Sequence, residues 1–172
     1  KALGEKALLR VVEEAGEGSP EIVMVRATSV QGADRPTTVR LRGVASSRLA
    51  TVASPGDRPS AVSSIEGLAT FVSLVVRYPL DLPTIVLQPW EGLTTTEVLR
   101  NASGRSPRRI SSALARTVVG IGYVVGAAVP RLNGTIRRLE VMWFGQGQEA
   151  SWAQSIGIDG VDRVSSVLRG DS

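Results

Sequence analysis

The sequence predicts a mixed α/β protein of the α+β kind, a quasi-two-fold duplicated unit whose antiparallel sheets pack against helices. Three observations lead there. Apolar residues make up 42% of the 172-residue chain while aromatics make up only 4%, so any core is built from Val, Leu, Ile and Ala. Stretches with helical periodicity alternate with short β-branched stretches bounded by Gly and Pro. Two fifteen-residue segments, one in each half, resemble each other.

Residues 1–14 read as a helix, with Leu3, Ala7 and Val11 four apart and Leu8 and Val12 beside them. Gly16-Glu17-Gly18-Ser19-Pro20 stops it, and the apolar, β-branched run 21–28 suits a buried strand. After a turn at Gly32, Asp34 and Pro36, residues 38–41 alternate, with Val39 and Leu41 on one face and Arg40 and Arg42 on the other. A third strand over 48–53 completes an antiparallel meander, closed by Ser54-Pro55-Gly56-Asp57.

A helix over 60–77 follows, with Ser63 and Glu66 spaced as a capping box; it buries Ile65, Leu68, Ala69, Val72 and Val76 and ends before Pro79. Residues 84–87 make a short strand, Trp90-Glu91-Gly92 a loop, and Thr94 with Glu97 a second capped helix. Ser106-Pro107 places Ser at an N-cap and Pro at the first helical position, predicting a helix to Ala128 that Pro130 and Asn133-Gly134 end. Strands are expected over 135–144, 152–158 and 163–168.

The matching segments are GVASSRLATVASPGD, from Gly43 to Asp57, and GIDGVDRVSSVLRGD, from Gly157 to Asp171. Their arginines, Arg48 and Arg163, set an offset of 115 residues, and the expected elements before each segment follow the same order. Residues 1–90 are therefore read as a first α/β repeat. Residues 91–172 are read as a helical segment plus a second repeat within one integrated fold. No counterpart of the helix after Asp57 follows Asp171, so the second repeat is read as truncated.

The chemistry of the chain points to binding rather than catalysis. It has no cysteine, hence no disulfide, thiolate or Cys-based metal site, and no histidine, the commonest general base. Eighteen of its twenty basic residues are arginine, and the net charge is +4. These arginines are scattered, as in an Arg-rich, Lys-poor composition, rather than clustered as a nucleic-acid footprint would be. There is no membrane-length apolar run and no signal-peptide pattern, so a cytoplasmic location is the expectation.

Asp159 and Asp162 form the nearest carboxylate pair, but their setting suits a turn. The glycines Gly120, Gly122 and Gly126 have the wrong spacing for a dinucleotide loop and lie within an apolar helix. Neither lysine follows a Gly-rich stretch, which rules out a Walker loop. The sequence therefore assigns no catalytic residue, no cofactor and no metal ligand.

The uncharged run 117–129 carries the most information. Ile110, Leu114, Thr117, Ile121, Val125 and Ala128 line one face, Val118, Val124 and Val129 extend it, and Gly122 and Gly126 permit close approach of another element. Two readings are open: a core helix, or a helix with one side packed and the other forming a partner groove. Trp143 and Trp152, expected on neighbouring strands, are either a cross-strand core pair or interface anchors. The candidate partner-binding residues are thus Val118, Val124, Val125, Val129, Trp143 and Trp152.

Four stretches resemble the EspG family of chaperones in actinobacterial type VII (ESX) secretion. They are Ala7-Leu8-Leu9-Arg10 leading into a strand; 67–76 running into Asp81-Leu82-Pro83; 134–141, GTIRRLEV; and Ser155-Ile156-Gly157-Ile158-Asp159 followed by Arg163. The turn Gly160-Val161-Asp162-Arg163 lacks the family's usual Gly before Arg. The resemblance implies a non-enzymatic cytoplasmic chaperone of two related halves. Such a chaperone binds the hydrophobic tip of a PE–PPE heterodimer through an apolar patch with a polar rim. Two alternatives differ in class. The helix followed by Asn133-Gly134-Thr135-Ile136 is similar to the ending of SepF-type cell-division scaffolds, which would self-associate, and the arginines allow a nucleic-acid binder with steep salt dependence.

Overall fold

The computed structural model describes residues 2–16, 22–79, 81–158 and 164–170, and its architecture is α+β. In chain order the elements are α1 (Ala2–Ala15), β1 (Met24–Arg26), β2 (Ser29–Gln31), α2 (Pro36–Ser46), β3 (Thr51–Ala53), β4 (Val62–Ser64) and α3 (Ile65–Arg77). Then come β5 (Ile85–Leu87), α4 (Thr95–Ser103), β6 (Arg108–Ile110) and α5 (Ser112–Ala128). A 3-10 turn at Pro130–Leu132 leads to α6 (Asn133–Phe144), α7 (Ser151–Ser155) and α8 (Val164–Arg169).

The strands pair in parallel, β1 with β5, β2 with β4 and β3 with β6, which corrects the expected antiparallel meander. The physical reason is the helix α2. Pro36 sits at its first turn with φ already set for a helix, so residues 38–41 wind rather than extend. With α2 in place, β2 and β4 are joined by a crossover rather than a hairpin, and a crossover makes the pairing parallel.

Local signals set several boundaries. Thr94 Oγ1 accepts from the Glu97 N–H and the Glu97 carboxylate accepts from the Thr94 N–H, the expected capping box, while Gly104 ends α4 at φ 70°. The cap of α3 is Ser64, which accepts from the Gly67 N–H at 2.8 Å, whereas Ser63 is buried in β4 and takes a bond from Thr28. Ser106-Pro107 leads into β6 instead of opening a helix. Ser111 is the N-cap of α5, which ends at Ala128 as expected.

The second half departs most from expectation. Residues 135–144 belong to α6, not a strand; Ile136, Leu139 and Trp143 fall at helical spacing and pack with β3 and α5. Residues 152–155 lie in α7, and 164–168 in α8. At the 115-residue offset, β1 falls on the middle of α6 and β3 on α8, so strands of the first half meet helices in the second. Asp159, Asp162, Arg163 and Asp171, which carried part of that comparison, lie outside the described residues.

Packing joins the halves 1–90 and 91–172 instead of separating them. One apolar cluster combines Ala45 of α2, Val52, Val62, Val98 and Leu99 of α4, and Val164 and Leu168 of α8. A second gathers Phe71, Val75, Val86 and Ala153, and a third Ala53, Ala115, Val119 and Trp143. The short α8 is held at both ends by residues distant in sequence. Glu91 accepts from the Ser165 N–H at 3.1 Å, and Arg42 Nε donates to the Leu168 carbonyl at 3.1 Å. A carboxylate at the start and a guanidinium at the end match the helix dipole.

A cationic cavity between two helices

Four of the six expected partner residues come together. Val118, Val124 and Val125 are exposed on α5, and Val129 is exposed at its C-cap. The two tryptophans do not join them, because both lie on helices rather than neighbouring strands. Trp143 is buried on α6, its Nε1 donating to Thr51 Oγ1 at 3.0 Å; Trp152 on α7 packs edge-on against Phe71 and Tyr78. Both tryptophans serve the interior.

The face of α5 that packs carries small residues. Ala115 and Val119 are buried, and a Cβ at Gly122 would meet Ile136 of α6 at 3.2 Å, with Gly126 facing Asn133 and Ile136 in the same way. Both glycines therefore let α6 approach closely, as the sequence suggested. The Tyr123 hydroxyl donates to the Glu140 carboxylate across the same pair of helices. That bond holds the Tyr123 proton and raises its pKa, with a smaller effect of desolvation.

The opposite side of α6 builds a cavity of about 660 Å³. One wall is α2, whose Thr37, Arg40, Leu41 and Val44 share a face; another is α6, through Gly134, Arg137, Arg138, Val141 and Met142. Both helices pack on α4, which contributes Thr95, Val98 and Leu99. The polar side is Thr28 from the β1–β2 connection with Ser29 and Gln31 of β2, joined by Gln146 and Gln148 from the segment after α6.

Hydrogen bonds fix this polar side. Thr28 Oγ1 donates to Ser63 Oγ at 2.7 Å, and the Thr28 N–H donates to Gln88 Oε1 at 3.3 Å. Gln148 Nε2 donates to the backbone carbonyls of Arg26 (3.0 Å) and Gln88 (3.2 Å), while the Gln148 backbone carbonyl accepts from Trp90 Nε1 at 2.7 Å. Gln31 Oε1 accepts from Thr38 Oγ1 at 2.9 Å, and its Nε2 donates to Ser29 Oγ at 3.0 Å. Among the described residues no buried side-chain donor or acceptor lacks a partner, so the side is preorganised.

The cavity is lined by positive charge. Arg40, Arg137 and Arg138 line it, no Asp or Glu does, and none of the three lies within 4 Å of a carboxylate among the described residues. Glu140, one turn along, is engaged by Tyr123 instead. Like charges in one partly enclosed space raise each other's energy, so the site favours an anion. The sequence does not show it, because residues 135–144 suggest a strand and nothing local places Arg40 near Arg137 and Arg138. The only signal was helical spacing in 134–142. No protein-family model, no curated protein and no solved structure matches this chain.

Proposed function

We propose that the chain binds a small organic anion in the cavity between α2, α4 and α6. The observation that supports this is the lining: three arginines with no carboxylate partner among the described residues, beside apolar side chains and a fixed row of amides and hydroxyls. The volume, about 660 Å³, lies in the usual range for small-molecule sites. Guanidinium groups bind phosphate and carboxylate oxygens in a bidentate fashion, and the apolar wall of Leu41, Val44, Val98 and Met142 offers contact for a carbon skeleton.

Calorimetric titration with inorganic pyrophosphate, a nucleoside diphosphate, citrate and glucose tests the reading. The anions are expected to bind and glucose is not. Replacing Arg137 and Arg138 together by Ala is expected to weaken anion binding at least ~10-fold, since a hydrogen bond to a charged group contributes about 1.5–3 kcal/mol. Both side chains are exposed, so the thermal midpoint should hardly move. Equal binding of glucose, or unchanged affinity in the double variant, would overturn it.

The chaperone reading drawn from the EspG resemblance finds its support elsewhere, in the exposed apolar side of α5. Co-expression with a PE–PPE pair followed by size-exclusion chromatography tests it, and a stable complex supports it.

A further inference from the structure

We infer that the outer face of α5 docks on an anionic lipid surface, independently of what the cavity binds. Leu114, Val118, Ile121 and Val125 recur at spacings of four, three and four along one side of α5, with Val124 and Val129 flanking them. All six are exposed, from 39% at Val118 to 75% at Val124. Half of the sixteen large hydrophobic side chains exposed among the described residues lie between Leu114 and Leu132. The helix cannot turn this stripe inward, because Ala115, Val119, Gly122 and Gly126 already hold its other side against α6 and β3.

Charge selects the occupant. From residue 98 to residue 139 the sequence contains eight arginines and no Asp or Glu. All eight are exposed, none lies within 4 Å of a carboxylate among the described residues, and six of them lie outside the cavity that Arg137 and Arg138 line. Arg109 precedes the stripe, Arg116 lies within α5 and Arg131 follows it. An apolar helical stripe with exposed arginines before, within and after it matches a bilayer of anionic headgroups: the apolar side chains enter the acyl boundary and the arginines meet phosphates.

Other occupants fit less well. A second copy docked through the same face would bring these arginines against their own equivalents. A nucleic acid would use the arginines and leave the apolar stripe uncovered. Among the described residues no helix is long and apolar enough to cross a membrane, so the contact is a peripheral one.

Co-sedimentation of the chain with vesicles tests this, using phosphatidylglycerol and phosphatidylcholine in equal parts against phosphatidylcholine alone. Uptake by the anionic vesicles only is expected, falling at least ~10-fold when NaCl rises from about 50 to about 500 mM, because screening shortens the reach of the arginines. Val124→Asp is expected to lower uptake at least ~10-fold with an unchanged circular dichroism spectrum. Should that variant lose helicity, Arg116→Glu with Arg131→Glu, both exposed, carries the test and is expected to lower uptake several-fold. Equal uptake by both vesicle types, uptake by neither, or undiminished uptake in a folded variant would overturn the inference. So would a dimer or a PE–PPE complex that Val124→Asp dissolves, or duplex DNA binding that survives it while vesicle binding is absent.

Discussion

Helices α4 and α5 invert the usual relation between composition and burial. The first is the more polar, yet Thr95, Val98, Leu99 and Ala102 are buried out of nine residues, and it touches α2, α6 and α8. The second is almost wholly apolar, yet only Ala115, Val119 and Gly126 are buried out of seventeen. Position in the fold explains the difference. Helix α4 lies at the centre with neighbours on several sides, while α5 lies at the periphery and packs through a narrow strip of small residues. A helix that is hydrophobic all round but buried on one side only has surface left for something else.

The sharpest way to break the comparison is truncation on both helices. Leu99→Ala removes a side chain that is 2% exposed, and a loss of about 3 kcal/mol is expected in chemical denaturation. Ile121→Ala, at a site 60% exposed, should stay within about 0.5 kcal/mol. Equal losses would mean that the outer face of α5 is packed after all.

A pair of glycine substitutions sharpens the picture within α5. A methyl group at Gly126 would run into Asn133 and Ile136, so Gly126→Ala should cost about 1–3 kcal/mol. At Gly120 a Cβ meets nothing within 4 Å, so Gly120→Ala should stabilise by up to about 1 kcal/mol through helix propensity. Thermal unfolding of the two variants should therefore shift in opposite directions.

The smallest effect concerns the cap of α4. Thr94→Ala should cost about 1 kcal/mol near neutral pH. The Glu97 carboxyl is held below its ordinary value first by the Thr94 backbone N–H and then by the Thr94 hydroxyl. A depressed carboxyl stabilises above the ordinary carboxylate range, and that stabilisation is lost as pH falls through the lowered value. The difference between Thr94→Ala and the parent should accordingly shrink in denaturation at about pH 3. A constant difference would assign the cap to the hydroxyl alone.

The sequence was legible where structure is made by neighbours along the chain. The Thr94–Glu97 box, the end of α5 at Ala128, the strand at 85–87 and the close-approach glycines are all signals of this kind. It misled where alternation competed with helical spacing. In 135–144 the β-branched and aromatic residues suit a strand, yet Ile136, Leu139 and Trp143 also form one helical side, and contact with α5 decides for the helix. In α2, Pro36 was a start signal that the alternation of 38–41 overshadowed. The six-residue α8 depends on Glu91 and Arg42 for its end groups, and no local pattern announces partners so distant. The cavity was illegible for the same reason, since Arg40 and Arg137 come to line one cavity on helices that both pack against α4.

The parallel pairing has a consequence for the order in which the chain is made. Synthesis delivers β1, β2 and β3 before any of their partners β5, β4 and β6. Arg42 leaves the ribosome 126 residues ahead of the Leu168 carbonyl it finally holds. For much of translation the nascent chain therefore displays strand edges and apolar faces whose complements are still unmade, and unpaired edges of that kind recruit other chains.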